Sequence, residues 1–483
     1  MGLLSRNRHN GDTPTTESVR HGDALPPSVL GVPNKIALLH HVGGGNLGDD
    51  ATLDAVVENI KRRWPDADLG AFTMNPADTE ARHGIPAYPI RVKTWQTGAR
   101  PPDVSTPETG LIAVLKKRPL FRLLKTCRLA IRSFLREIPF LITAFRTIRP
   151  FDLLIVSGGG QLLDVWGPWA FPYTLFKWVF LARLAGVKCR FLNVGAGPLD
   201  HGLSRWFVRR ALLLAEHVSL RDADSQALLR KIGFHGEAEV AADSVYSLTI
   251  HETRKRQVPR PTDPTVGLSP MAYGDPRVYW QKSQDAYTNL IRTLSSFGSW
   301  LTQHDYRLTL FSTDVWFDSQ VIHELERELK SSASRAIPGR ISRPPVFTFD
   351  DLISQMVPME YVITCRFHGV VFAHLLNKPV LALSHHPKVL TLMTDLGLQE
   401  YCLDIKTTDL TLLTSTFASL VKSRDQIKRQ MSAKKECYRQ ILSTQFDRLF
   451  AAPPEAGRLH AKALAGRQAP ANSPLVDLES KDF

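Results

Sequence analysis

The stretch KIALLHHVGGGNLGDDATLDAVVENIKRRW, residues 35–64, decides the fold. Its apolar run Lys35 to Leu39 has strand composition and stops at a glycine cluster, Gly43 to Gly48. Behind the glycines, Leu53, Val56, Val57, Ile60 and Trp64 recur at the spacing of one helix face. A strand, a bare loop and a helix in that order form the opening unit of a parallel sheet. The same alternation continues with strands expected at 69–73, 153–157, 189–194 and 218–220, which makes one doubly wound domain over 34–250. Residues 251–264, HETRKRQVPRPTDP, are charged and proline-rich without apolar period, and read as a linker. A second series follows over 265–450, with strands expected at 265–268, 307–311, 361–364 and 380–383. Its helices are expected at 286–303, 318–330 and 372–376, with a closing helix at 425–442. The fold class is therefore α/β, two Rossmann-like doubly wound domains facing each other across a cleft.

Composition narrows the function. The 483 residues are 43% hydrophobic and 22% charged, which excludes collagenous, fully disordered and disulfide-stapled chains. Sixty Lys and Arg against 47 Asp and Glu give a net charge of +13, so the partners are expected to be anionic. Nucleic acid is not expected, because no recognition module or phased aromatic and basic stripe is present. Five cysteines without CxxC spacing fit neither a zinc ribbon nor a disulfide framework, and point to a reducing, cytoplasmic compartment. Residues 1–33 read as a disordered leader without a secretory apolar core, and residues 451–483 as a disordered tail. The apolar run 171–187 is broken by Lys177 and Arg183, and reads as a buried helix, not a span. Residues 91–149 form an insertion whose part 116–149 carries ten Lys or Arg and one acid, Glu137, among Leu, Ile and Phe. That pattern suits either peripheral contact with a membrane surface or a solvated helix packing its apolar side on the domain.

Chemistry-bearing residues gather at the strand ends. Gly43 to Gly48 matches GxGxxG between a strand and a helix, which can hold an anion on backbone N–H groups. The second strand ends in Met74-Asn75-Pro76 without the acid a dinucleotide site wants, so NAD is disfavoured. Asp49 and Asp50 follow, suited to orienting or deprotonating a hydroxyl, or to capping the helix. Gly158, Gly159 and Gly160 bare the backbone at the end of the central strand 153–157, where open α/β sheets bind ligand; a tight turn is the plain alternative. Arg221 stands at the end of strand 218–220, free to take a carboxylate or phosphate or to pair with Asp222, Asp224 or Asp243. In Thr364-Cys365-Arg366-Phe367-His368-Gly369 a cation, an imidazole and a bare backbone share one turn, enough to bind an anion and move a proton. His385 and His386 lack a third ligand at metal spacing, and no metal is expected.

The ordered set GGNLGDDATL (44–53), SGGG (157–160), VGAGP (194–198), SLRDADS (219–225), AADSVYSL (241–248) and CRFHGVVFAHLLNKPVLAL (365–383) resembles the polysaccharide pyruvyltransferases. The resemblance implies a two-domain fold of the glycosyltransferase-B type. It also implies transfer of pyruvate from phosphoenolpyruvate onto two hydroxyls of one sugar, as a cyclic ketal, with no cofactor beyond that donor. On this footing Arg366, Arg221, Lys388, Gly369 and Gly158 to Gly160 would receive the donor, and Gly45, Asn46 and Gly48 the saccharide or lipid-linked glycan acceptor. His368 would be the general acid, and Asp49 or Asp50 would act on the acceptor hydroxyl. The competing reading is a nucleotide-sugar-dependent glycosyltransferase of the same fold. A third is a non-catalytic glycan- or membrane-binding protein working through the basic insertion.

Overall fold

The structure, a computed structural model, describes residues 33–94, 135–250, 263–331, 336–337 and 339–450. The expected leader and tail, residues 95–134 of the insertion and most of the linker lie outside them.

Two sheets, both wholly parallel, carry the molecule. The first holds β1 (Lys35–Leu39), β2 (Asp68–Thr73), β3 (Ala87–Pro89), β4 (Leu153–Ser157), β5 (Lys188–Val194), β6 (His217–Leu220) and β7 (Glu239–Val240), in the order β3-β2-β1-β4-β5-β6-β7. The second holds β8 (Thr265–Ser269), β9 (Arg307–Leu310), β10 (Ile341–Ser342), β11 (Tyr361–Thr364), β12 (Val380–Ser384) and β13 (Cys402–Asp404), in the order β10-β9-β8-β11-β12-β13. In each sheet the chain leaves the first strand toward one edge and returns to its other side, so β1/β4 and β8/β11 are switch points. Crevices open at the carboxyl ends of such pairs. The central strands are apolar throughout because helices cover both faces: Leu153 to Val156 and Tyr361 to Thr364 are all buried.

The helices are α1 (Leu47–Arg63), α2 (Pro76–His83), α3 (Phe171–Leu184), α4 (Gly202–Leu213), α5 (Ala223–Lys231), α6 (Gln284–Gln303), α7 (Ser319–Lys330), α8 (Phe349–Met356), α9 (Phe367–Leu375), α10 (Pro387–Asp395), α11 (Leu410–Lys422) and α12 (Arg424–Leu449). Local signals explain their ends. Asn46 caps α1 by accepting from Gly48 N–H, with acids in the first turn and Lys61 to Arg63 in the last. Thr348 and Asp351 form a reciprocal capping box on α8. Helix α9 begins at Phe367, five residues before the expected start, because it springs directly from the turn that carries Arg366.

Helix α12 runs past its expected end and crosses to the first sheet. Arg63 Nη2 lies 2.6 Å from Asp447, Arg190 Nη1 donates to the Leu449 carbonyl at 2.6 Å, and Asn193 Nδ2 donates to Gln445 at 3.0 Å. Phe450 packs edge-on against Trp64, centroids 4.9 Å apart. One apolar cluster accordingly runs from Ile36 and Leu38 through Tyr246 and Leu248 to Val266 and Leu268.

The longer described part of the insertion is a helix over 135–148. Ala144 and Ile148 are buried and Phe140, Leu141 and Phe145 pack on the first domain, so this portion packs as a surface helix does. Helix α3 is only partly the buried helix expected: Leu175, Trp178 and Val179 are buried, while Phe180 and Leu184 are exposed. Among the described residues no helix is long and apolar enough to cross a membrane.

Candidate active site

The carboxyl ends of β1, β4, β5 and β6 face those of β8, β9, β11 and β12 across a cavity of about 700 Å³. Its two walls are stitched by backbone hydrogen bonds. Leu47 N–H donates to the Thr313 carbonyl at 2.9 Å, and Val315 N–H to the Gly45 carbonyl at 2.9 Å. The glycine loop after β1 is thereby pinned to the loop after β9.

Asn46, Asp49, Gly160, Arg221, Arg366, His368 and Lys388 all line the cavity. Positions 46 and 388 are 342 residues apart, so topology alone brings the set together. Asp50 is turned away, its carboxylate 3.7 Å from both Arg82 Nη1 and His83 Nε2. Burial opposes a charge on His83, but Asp50 and Asp54 outweigh it and lift its pKa to about 9. The two neighbouring aspartates thus part: Asp49 serves the cavity and Asp50 a buried ion cluster.

The other glycines serve packing. Gly45 is spent on the inter-sheet hydrogen bond, and a Cβ on Gly158 would meet Thr52 of α1 at 2.1 Å. A Cβ on Gly369 would meet Thr364 at 2.1 Å, where α9 folds back on its own strand. A Cβ on Gly159 would lie about 3 Å from Asp49 Oδ1, His40 Nε2 and Gln161 Nε2, so these three side chains converge over its bare backbone.

The cations differ in how much charge remains to meet a ligand. Arg366 donates to both oxygens of Asp318, at 2.8 and 2.6 Å, and lies 3.5 Å from Asp314. Its charge is thus largely met inside the protein. Arg221 has looser partners, Asp222 at 3.4 Å and Asp243 at 3.6 Å. Lys388 has no carboxylate within 4.0 Å among the described residues, and burial, then Arg221, pull its pKa down to about 8. Both side chains sit over the ring of Phe367, Arg221 at 4.4 Å and Lys388 at 5.9 Å. An anion placed beside them would relieve two crowded, desolvated cations.

Proton-carrying groups stand opposite. Burial, with repulsion from Asp50 and Asp314, pushes the Asp49 carboxyl up to about 7, close to neutrality. His368 is moved the other way, well below the usual histidine value, by burial and by Arg221 and Lys388. Its Nε2 stands 4.0 Å from Asp243 Oδ2, and both atoms are buried without a hydrogen-bond partner among the described residues. His40 is likewise buried with neither ring nitrogen bonded.

Several lining residues escaped the sequence reading. His41, just past β1, bonds Gln161 and stacks on Phe171 at 3.6 Å. Trp166 and Trp280 stand at the rim, 57% and 50% exposed, one from each half. His385 and His386, weighed from sequence only as metal ligands, line the cavity, and His386 caps α10 by accepting from Lys388 N–H at 3.3 Å.

Comparison with known proteins bears on what this cavity serves. The polysaccharide pyruvyl transferase family model matches residues 46–387, from the Asn46 cap to the start of α10. The chain belongs to that family. It is an enzyme of the pyruvyl-transferring kind, acting in polysaccharide biosynthesis. It is similar to the amylovoran biosynthesis protein AmsJ of Erwinia amylovora, 20% identical over 407 residues, covering 77% of this chain and 88% of that one. Among solved structures it is similar to the UDP-GlcNAc 2-epimerase of Neisseria meningitidis bound to UDP-GlcNAc, with TM-score 0.53, 10% identity, and 86% and 99% of the two chains covered. It is also similar to the S. aureus MnaA–UDP complex, with TM-score 0.50, 12% identity, and 83% and 90% covered. At such identities these two speak for the fold alone. With the two facing parallel sheets, they place this pyruvyl transferase in the glycosyltransferase-B type.

Proposed function

We propose that the enzyme moves a pyruvyl group from phosphoenolpyruvate onto two hydroxyls of one sugar in a glycan or lipid-linked glycan precursor, closing a cyclic ketal. The observation that carries this reading is the pairing of Lys388 and Arg221 over Phe367, with Asp49 in the same cavity poised to hold a proton near neutrality. The first two suit the phosphate and carboxylate of the donor; the third suits its methylene carbon.

The chemistry needs two proton transfers in each direction. In the first half, C3 of the donor takes a proton from Asp49 while an acceptor hydroxyl attacks C2 and yields its proton to His368. The His368 ring, neutral in the free site, is able to accept, and Asp243 at 4.0 Å stabilises the imidazolium that results. In the second half, His368 returns its proton to the departing phosphate oxygen, and the second hydroxyl attacks C2 and gives its proton to the Asp49 carboxylate. The balance is one ketal and one inorganic phosphate, with both residues restored. In the first half this differs from the roles expected from sequence, where His368 was the acid, because burial beside two cations disfavours the imidazolium before substrate arrives; in the second half the two residues take the expected roles. Arg366, held by Asp318, fixes the turn that aims His368. The acceptor is read as lying between Trp166 and Trp280, whose flat faces suit the apolar faces of sugar rings. The donor brings both the carbon skeleton and the leaving group, so no further cofactor enters.

Incubation with phosphoenolpyruvate and a panel of galactose-, glucose- and mannose-containing acceptors tests the proposal. Acceptor-dependent phosphate release with a ketal mass gain is expected. Tight binding of nucleotide sugars with indifference to phosphoenolpyruvate would instead favour a glycosyltransferase.

A further inference from the structure

Three helices on one flank of the first sheet pack against one another and leave apolar side chains in solvent. The helix over 135–148 joins α3 through Glu137 and Lys177 at 2.8 Å, and α3 joins α4 through Phe176 and Trp206, centroids 5.3 Å apart. Leu135, Ile138 and Ile142 are exposed on the first helix, Phe180 and Leu184 on α3, and Leu203, Trp206 and Leu213 on α4. Leu184 is 65% exposed and Leu135 62%. Scattered apolar residues need no explanation, but a run over three adjoining helices marks a surface made to be covered.

Charge says by what. Helices α3 and α4 contain no Asp or Glu, and Glu137 of the neighbouring helix is spent on Lys177. Exposed Arg136, Arg146, Arg183, Arg205 and Arg210 interleave with the apolar side chains. Apolar and aromatic side chains set among cations, on helices that carry no free acid, suit an anionic lipid surface. The aromatic surface also continues to the cavity. Trp166 at the rim packs on Phe171 at 5.0 Å, and Trp169, 61% exposed, packs on Tyr173 and Phe207 at 5.3 and 5.6 Å. Tryptophan is the residue favoured at headgroup depth.

We infer that the flank formed by the helix over 135–148, α3 and α4 seats on the surface of an anionic bilayer, with the Trp166 rim of the cavity beside the headgroups. The contact is interfacial, since no described helix is fit to span. It deepens the pyruvyl-transfer reading by giving a lipid-linked acceptor a route to the cavity, and rests on that reading only for the acceptor.

The test is flotation of the full-length protein with phosphatidylcholine vesicles, with and without phosphatidylglycerol. The wild type should float only with the anionic vesicles. Phe180→Glu with Trp206→Glu, and separately Arg205→Glu with Arg210→Glu, should each weaken that binding at least tenfold. Both should keep turnover on a water-soluble acceptor, which also reports that they fold. Wild type that ignores vesicles, or two variants that bind as well as wild type, would overturn the proposal. So would a wild-type dimer that the variants convert to monomer without vesicle binding, since the covering partner would then be a second copy. Failure of the donor reading would look different: vesicle binding intact and no phosphate released from phosphoenolpyruvate with any acceptor.

Discussion

The imidazole of His368, carried by the second sheet, rests on the bare backbone of Gly48, carried by the first: a Cβ at position 48 would stand 1.9 Å from His368 Nδ1. The proposed proton carrier is therefore positioned by the opposite half of the molecule. Gly48→Ala must push the ring aside. A loss in kcat/KM on the order of 100-fold is expected, and Gly48→Ala with His368→Ala should be hardly slower than His368→Ala alone. Steady-state kinetics of the three variants checks this.

Asp49 should limit the reaction on the alkaline side. Its carboxyl, near 7 in the free site, must be protonated to act, and Lys388, near 8, must be charged to hold the donor. The expected profile of kcat/KM falls as pH rises through about 7 and steepens above about 8, because that parameter reports the free enzyme. Lys388→Met should remove the upper limb and raise KM for phosphoenolpyruvate more than it lowers kcat.

The same carboxyl carries a cost in stability. Its folded-state pKa lies above the unfolded value of 3.8, so the folded protein binds the extra proton and stability falls as pH rises between about 4 and 7. Asp49→Asn should therefore be inactive yet more stable than wild type at pH 8, by on the order of 2–4 kcal/mol. Urea unfolding of wild type and variant at pH 5 and pH 8 checks it; a variant no more stable than wild type at pH 8 would mean the carboxylate is well solvated.

His374 ties three elements. Its Nε2 donates to the Met431 carbonyl at 2.8 Å, which leaves Nδ1 to accept from the Tyr246 hydroxyl at 2.8 Å. Burial holds the ring neutral, with a pKa of about 4 despite the pull of the Met431 carbonyl. A histidine depressed below its unfolded value near 6.5 contributes stability above that pH and loses it as pH falls toward 4. His374→Ala leaves the buried Tyr246 hydroxyl without its partner, at roughly 1–3 kcal/mol, while the Met431 carbonyl keeps its bond within α12. Its stability should also decline less steeply than that of wild type between pH 6.5 and pH 4.

Most of the parallel architecture was legible because buried central strands are unbroken apolar runs, as Leu153 to Val156 is. The two- and three-residue strands at the sheet edges, β3, β7, β10 and β13, were not, since so short a run has no period. The cavity's polar residues could be read from their places at strand ends. Their pairings could not: nothing local says that Arg366 is consumed by Asp318, 48 residues upstream, or that Asp50 turns to His83 while Asp49 does not. Trp166 and Trp280 lie in loops without pattern, where the signal available was only two tryptophans in turn-rich surroundings.

The most direct test of pyruvyl transfer is the product formed from phosphoenolpyruvate and acceptor in heavy water, examined by NMR. The account predicts a pyruvate ketal whose methyl group has gained at least one deuteron, delivered to C3 from an exchangeable acid, and no such product from Asp49→Asn. A wild-type product without a ketal carbon, or a ketal methyl free of deuterium, would contradict it.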